Sequence, residues 1–288
     1  MSGHPAGAPS VHDACWEDLV LRSSLPRLEA RILLAHASGR SREWLVAHGD
    51  EAADVDATRA FTELARRRQA GEPIAYLTGT REFYGRAFEV SPRVLIPRPE
   101  TELLVRQALA RAGSGARVLD LGTGSGAIAV SLACERADLR ITATDRDDQA
   151  LAVARRNAQR LAAEAVAGGR LQWRAGHWWA AVDAADAYDV VISNPPYVAT
   201  GDPHLDRGDL RHEPRAALAA GADGLEALRE IVAGAPSHLR PGGWLLLEHG
   251  HEQGDAVRAL LEAAGFVETG TLCDAAGLPR VTMARKVE

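Results

Sequence analysis

The sequence predicts an α/β fold, a mostly parallel sheet with helices on both faces behind a small helical domain. Three observations predict it. Strand and helix signals alternate from Glu100 onward, the pattern of a doubly wound sheet. The segment before about residue 80 carries helical periodicity without strand signals. Between the two lies a stretch of hairpin and proline signals. The expected boundaries are therefore a tail over 1–11, a helical domain over 12–80, a hairpin linker over 81–99 and a sheet domain over 100–288.

Met1 to Ser10 is small and polar, with no basic segment running into an apolar one, so a tail is expected there and not a signal peptide. In the helical domain, Arg27 to Ala37 places Leu28, Ile32 and Ala35 at helical spacing beside Leu33 and Leu34. Ser41 is a cap for the short stretch carrying Trp44 and Leu45. Ala57 to Gln69 sets Ala60, Phe61, Leu64 and Ala65 on one face, and Gly39, Gly49 and Gly71 sit where helices should end. Next, Glu82-Phe83-Tyr84, Gly85-Arg86 and Ala87 to Val90 read as a hairpin turning at Gly85-Arg86. Pro92, Pro97 and Pro99 then forbid a continuous helix.

Strands are expected at Arg117–Leu121, Arg140–Thr144, Leu171–Arg174, Asp189–Ser193, Trp244–Glu248, Phe266–Thr271 and Arg280–Ala284. Helices over Ala127–Cys134 and Asp148–Ala163 fall between the earlier ones. The last two strands are joined without a helix, which favours an antiparallel pair at the sheet edge. No apolar run approaches the roughly 18 residues that a membrane span needs. Cys15, Cys134 and Cys273 are far apart and odd in number, which excludes a disulfide framework and a cysteine metal site and suits a reducing cytoplasm. The net charge of -6 argues against a surface that attracts bare nucleic acid. Charge is uneven, however: Arg59 to Arg98 holds eight arginines against four glutamates. That segment is either a solvated face or a docking surface for an acidic or RNA-associated partner.

Two motifs carry chemistry. The first runs from Val118 through Asp120, Gly122, Thr123, Gly124, Ser125 and Gly126, from strand into helix. Its glycines let the chain turn sharply and let a ligand approach backbone amides. With Ala127 it also satisfies the dinucleotide fingerprint in its Gly/Ala form. Asp120 weighs against that reading, because a carboxylate there repels a pyrophosphate. S-adenosylmethionine carries an ammonium and a sulfonium instead, and Asp120 can accept from the ammonium directly or through water. Asp145 ends the next strand and can bind two ribose hydroxyls of either cofactor.

The second motif is Asn194-Pro195-Pro196-Tyr197, after the strand that ends at Ser193. Consecutive prolines hold the backbone extended and stiff. An amide or base-amino nitrogen is a poor nucleophile because its lone pair is delocalised. Two acceptors gripping its N–H groups orient it and stabilise the charge that forms on methylation. The Asn194 side-chain oxygen and the Pro195 carbonyl are the candidate acceptors, and the Tyr197 ring can pack on the planar group. No general base is required, since the proton can leave to water after transfer. A base amino group in DNA or RNA has the same electronics, so this motif alone does not choose between protein and nucleic-acid substrates. An NAD-dependent oxidoreductase, a third reading, lacks a convincing proton-transfer residue.

The chain resembles the class I, Rossmann-like S-adenosylmethionine-dependent methyltransferases with an Asn-Pro-Pro-Tyr motif. Within them it is similar to the peptide chain release factor N5-glutamine methyltransferases, from about Trp16 to Lys286. Glu72 to Gly79, Arg81 to Gly85, Val94 to Glu102, Asp120 to Gly126, Ser193 to Tyr197, Gly208 to Pro214 and Ala217-Leu218 carry the resemblance. Ribosomal-protein glutamine methyltransferases share Asn-Pro-Pro-Tyr but usually lack the Arg98-Pro99-Glu100-Thr101-Glu102 segment. The resemblance implies a helical substrate-docking domain, a hairpin linker and a seven-stranded catalytic domain. It implies S-adenosylmethionine as cofactor and the glutamine of the Gly-Gly-Gln motif of release factors as substrate. The implied protein is cytoplasmic and monomeric, without membrane attachment, a metal or stable nucleic-acid binding.

By motif position, Asp120 to Gly126, Asp145 and Asn194 hold the cofactor, and Asn194, Pro195, Pro196 and Tyr197 hold the glutamine. Glu100 lines the site mouth or simply sits in the first turn of a helix, as Glu102 does. The family's Gly-Asp-Trp segment falls on Gly176-His177-Trp178, so Trp178, or alternatively Trp179, borders the adenine. His177 replaces the family's aspartate and can accept from an adenine amino group only in the right tautomer. His249-Gly250-His251 lacks partners at metal-ligand spacing and reads as a solvated loop.

Overall fold

A computed structural model of the protein describes residues 14–288. The expected tail over 1–11 lies outside the described residues. The chain divides into two compact units at Gly79/Thr80.

The first unit is helical, with α1 (Trp16–Arg22), α2 (Arg27–Ser38), α3 (Arg42–Ala47), α4 (Val55–Gln69) and α5 (Ile74–Thr78). Its helix starts follow local polar chemistry. Ser41 Oγ accepts from Trp44 N and Asp54 Oδ1 from Ala57 N, each satisfying an orphan N–H of a first turn. Gly39 ends α2 in the left-handed conformation. The core gathers Trp16, Leu33, Leu34, Phe61 and Ala65. The buried face of α2 is Ala30-Leu33-Leu34, and the Leu28 expected in the apolar stripe is 63% exposed. On α4, Ala57, Phe61 and Ala65 point inward while Ala60 is exposed. The arginine run of α4 is paired: Arg66 with Glu63, Arg67 with Glu72 and Arg68 with Glu29.

The second unit opens with a hairpin, β1 (Thr80–Phe83) and β2 (Arg86–Glu89). Its turn lies at Tyr84-Gly85, one residue earlier than the sequence suggests, with both residues at positive φ and Phe83 opposite Arg86. The hairpin packs into the second unit and is not a separate linker. Phe83 and Phe88 are enclosed in the main core. Asn157 accepts from Glu89 N and donates to both the Glu89 and Ser125 carbonyls, while Glu102 accepts from Tyr84 N.

There follow α6 (Glu102–Arg111), β3 (Arg117–Leu121), α7 (Ala127–Glu135), β4 (Arg140–Asp145), α8 (Asp148–Leu161), α9 (Ala163–Ala167), β5 (Leu171–Ala175), β6 (Tyr188–Ser193), α10 (Glu226–His238), β7 (Leu239–Glu248), α11 (Gly254–Ala263), β8 (Val267–Cys273) and β9 (Pro279–Arg285). The sheet has seven strands in the order β5-β4-β3-β6-β7-β9-β8. The first five are parallel, and β9 joins β7 and β8 antiparallel. Strand β7 begins earlier than expected, because Leu239 pairs with Tyr188 before a register shift that places Trp244 beside Val190.

Side-chain alternation along the strands separates two apolar layers. Val118, Val190, Ile192 and Leu246 belong to the layer holding residues of α6 and α7. Leu119, Leu121, Val191, Leu245 and Leu247 belong to the layer holding residues of α10 and α11. Strands β3 and β6 are therefore nearly continuous apolar runs, as parallel central strands require. The β3/β6 boundary, where the winding reverses, is the switch point at which such sheets bind ligands.

Because Phe88 is fully enclosed in the core of the second unit, Phe88→Ala should cost about 3–5 kcal/mol of its stability. Urea unfolding followed by tryptophan fluorescence checks this. A loss below about 1 kcal/mol would mean that the hairpin does not share that core.

Candidate active site

The carboxyl ends of β3, β4 and β6 open on a cavity of about 300 Å3. Gly122, Thr123, Gly124, Ser125, Asp145, Trp178, Asn194 and Pro196 line it, together with His177, Thr101 and Glu230. Asp120, Gly126, Pro195, Tyr197 and Glu100 are not among its lining residues.

The loop after β3 is pinned to β4. Gly122 N and Thr123 N both donate to the Thr144 carbonyl, and Gly124 N donates to Asp145 Oδ2. Asp145 Oδ1 accepts from Asp147 N. Both carboxylate oxygens are thus fixed, and each keeps a lone pair for a further donor such as a sugar hydroxyl. Burial raises the Asp145 pKa.

Two glycines serve different ends. A Cβ on Gly122 would lie 2.9 Å from Cζ3 of Trp178, so the missing side chain lets the indole lie against the loop. A Cβ on Gly126 would lie 3.1 Å from that of Ala154. Gly126 therefore permits close packing of α8 and starts α7 at positive φ, and it takes no place in the cavity wall.

Asp120 sits behind the wall. It is fully buried, its Oδ2 accepts the Thr123 hydroxyl at 2.6 Å, and its Oδ1 has no partner. Thr123, and not Asp120, lines the cavity, so the carboxyl expected at a ligand's ammonium stands one residue behind the wall. Burial pushes its pKa up to about 7, with the Thr123 hydroxyl opposing the shift.

Of the two tryptophans, Trp178 lines the cavity and holds a left-handed backbone at φ 42°, an arrangement that surrounding packing must maintain. Trp179 instead stacks on His238 with centroids 4.8 Å apart, and its Nε1 donates to the Ile231 carbonyl. His177 Nδ1 lies 3.2 Å from Glu230 Oε1.

After β6, the Asn194 side-chain amide donates through Nδ2 to Thr101 Oγ1 at 3.0 Å. Its oxygen receives no donor among the described residues, and neither does the buried Pro195 carbonyl. Two acceptors on consecutive residues therefore have no donor among the described residues. Tyr197 turns away from the cavity: its ring packs in the α10/α11 layer and its hydroxyl points at Glu248 Oε1, 3.5 Å away. Gln253 Nε2 holds the Tyr197 carbonyl. Burial raises the Tyr197 pKa, and the neighbouring Glu248 charge adds to the shift.

The mouth is held by a residue that no motif role singled out. Glu213, whose side chain is fully enclosed, accepts from Ile96 N at 3.0 Å and pairs with Arg98. Thr101, Glu230 and Glu248 were likewise missed. Glu248 gave a readable signal, being an acidic residue at a strand's carboxyl end like Asp120 and Asp145. His249 is buried, donating to the Gly250 carbonyl through Nδ1 and accepting the Thr282 hydroxyl at Nε2. It belongs to the core and not to the solvated loop expected there. Among the described residues no group of three or more His, Cys, Asp or Glu is placed to hold a metal ion, and no helix is long and apolar enough to cross a membrane.

The sheet order, the glycine loop at the switch point and the polar motif after β6 are those of the class I methyltransferase fold. Residues 19–79 match the model of the PrmC N-terminal domain, and residues 99–208 match that of the methyltransferase small domain. The release factor glutamine methyltransferase of Burkholderia pseudomallei is 54% identical over 93% of this chain and 95% of its own length. That of Bordetella pertussis is 51% identical over 92% and 97%. A methyltransferase from Pyrococcus furiosus shares the fold, with TM-score 0.53 and 19% identity over 79% of this chain and all of its own. This chain belongs to the release factor glutamine methyltransferase family.

The buried carboxyl of Asp120 has a consequence for folding. A carboxyl whose pKa rises to about 7 on folding contributes stability that is complete below the ordinary aspartate range and is lost as pH rises through about 7. Relative to the parent, Asp120→Asn should therefore gain stability as pH rises from about 4 to about 7. Urea unfolding of both ligand-free proteins across that range measures the gap. A gap that does not change with pH would show that Asp120 has no raised pKa in the folded protein.

Proposed function

We propose that this protein transfers the methyl group of S-adenosylmethionine to the side-chain amide nitrogen, N5, of the glutamine in the Gly-Gly-Gln motif of peptide chain release factors. The observation that carries this reading is the orientation of Asn194. Its Nδ2 is committed to Thr101, so its oxygen and the Pro195 carbonyl remain as a pair of acceptors beside a nucleoside-sized cavity.

The residues present fit S-adenosylmethionine. Trp178 supplies an apolar plane for the adenine, and Asp145 has lone pairs for the ribose hydroxyls. Asp120 has an orphaned buried oxygen whose negative form favours a nearby ammonium. The same carboxylate disfavours the pyrophosphate of NAD. When bound, S-adenosylmethionine supplies a methyl carbon activated by a positively charged sulfur.

The protein's own contribution is grip and alignment. Asn194 Oδ1 and the Pro195 carbonyl accept the two N–H groups of the glutamine amide. That fixes the nitrogen and stabilises the positive charge it gains. Pro195 and Pro196 keep the acceptors from moving, and holding the nitrogen in line is worth roughly 7 kcal/mol or more. Tyr197 supports the loop from behind through Glu248 and Gln253. The proton leaves to water once the new N–C bond has formed.

In this reading residues 12–80 dock the release factor and 100–288 bind the cofactor and carry the reaction. The protein works as a cytoplasmic monomer on a protein substrate, without stable nucleic-acid binding. A base amino group would meet the same two acceptors, so methyl transfer to naked DNA or RNA is the competing outcome.

Incubating a purified release factor with the protein and labelled S-adenosylmethionine should add one methyl group to the Gly-Gly-Gln peptide, read by mass spectrometry. Asn194→Ala should lower that rate by roughly 100-fold to 1,000-fold. An unmodified release factor in the presence of tightly bound cofactor would overturn the substrate assignment.

A further inference from the structure

The amide of Asn194 has two faces, one a donor and one an acceptor, and only the acceptor face serves the proposed grip. Something must decide which face meets the substrate. Thr101 is placed to do so. It lies just before α6, is 4% exposed and lines the cavity beside Asn194. Its Oγ1 is the only hydrogen-bond partner of the Asn194 side chain among the described residues.

A hydroxyl can accept or donate, so Thr101 alone would tolerate either orientation of the amide. Its other neighbour removes the ambiguity. Glu248 ends β7, is 1% exposed and has one carboxylate oxygen without a geometrically sound partner. Burial pushes its pKa up to about 7, and of the groups around it the Thr101 hydroxyl opposes that shift most. In its ionised form that carboxylate only accepts. With Glu248 ionised, Thr101 turns its proton toward that carboxylate and offers Asn194 a lone pair, the direction seen in the bond from Asn194 Nδ2 to Thr101 Oγ1. Asn194 must answer with Nδ2, which leaves Oδ1 facing the cavity.

We propose that Thr101, backed by Glu248, is a positioning residue that sets the polarity of the Asn194 amide and so selects an N–H-bearing substrate group. This inference rests on the proposed role of Asn194. It adds the residue that makes that role possible, and it explains why a polar side chain is buried at the start of α6. The device works without moving parts, because ionised Glu248 sets the donor direction of Thr101 and Thr101 sets that of Asn194. Neither Thr101 nor Glu248 need touch the reacting atoms for it to operate.

The test uses the full chain with a purified release factor. Thr101→Val keeps the shape but removes the hydroxyl, which frees the amide to flip. Its kcat should fall roughly 10-fold to 100-fold, with the Kd for S-adenosylmethionine within about twofold of the parent and the urea midpoint little changed. Thr101→Ser restores the hydroxyl and should return kcat to within about threefold. Should the valine variant unfold, Thr101→Ala removes the same hydroxyl without the second methyl. In an Asn194→Ala background, adding Thr101→Val should have no further effect, since the two act as one unit. The proposal is overturned if Thr101→Val retains full kcat, if the serine variant fails as the valine does, or if the two substitutions multiply. Full activity of Asn194→Ala itself would instead remove the proposed role of Asn194, and this inference with it.

Discussion

Parallel pairing of β4, β3, β6 and β7 is the constraint from which the site follows. In a parallel sheet every strand ends on the same edge, so residues at the carboxyl ends of neighbouring strands become neighbours in space. Here those ends carry Asp145, Asp120, Ser193 followed by Asn194, and Glu248. No two of these four strand ends are close in sequence. The register brings them to one rim, and the apolar strand interiors leave that rim as the place where polar groups collect.

The same burial that stabilises the sheet alters the chemistry of these groups. Asp120 and Glu248 are both enclosed, and desolvation pushes both up to about 7. Each also has one oxygen without a partner. Such groups oppose folding of the empty protein at neutral pH and favour the arrival of hydrogen-bond donors or positive charge. A layer of small polar residues, Thr123 and Thr101, separates the carboxyls from the cavity. In the proposed mechanism the acids therefore act by field and orientation, and the lining side chains make the contacts.

The hairpin and the mouth show how the rim is braced. Asn157 joins Glu89 of the hairpin to the Ser125 carbonyl of the glycine loop. Glu213 joins the Ile96–Arg98 segment to the chain after Pro196, far from it in sequence. These bonds are buried or half-buried, where an unpaired group is costly. Loss of either partner would loosen the cavity wall and not merely a surface loop.

Local chemistry by itself determined the order and type of the elements. The seven strands, the helices after β3 and β4, the Ser41 cap and the antiparallel edge were legible, because period, capping and turn residues act over a few positions. The glycine loop and Asn194 to Tyr197 were legible for the same reason, as contiguous motifs. Tertiary structure decided which of their residues face the cavity. Gly126 serves helix packing against Ala154, Tyr197 points at Glu248, and Asp120 stands behind Thr123. It also set the face of Asn194, through a hydroxyl 93 residues away. A side chain's direction depends on neighbours that the fold assembles from distant segments, and no local pattern in the sequence carries that information.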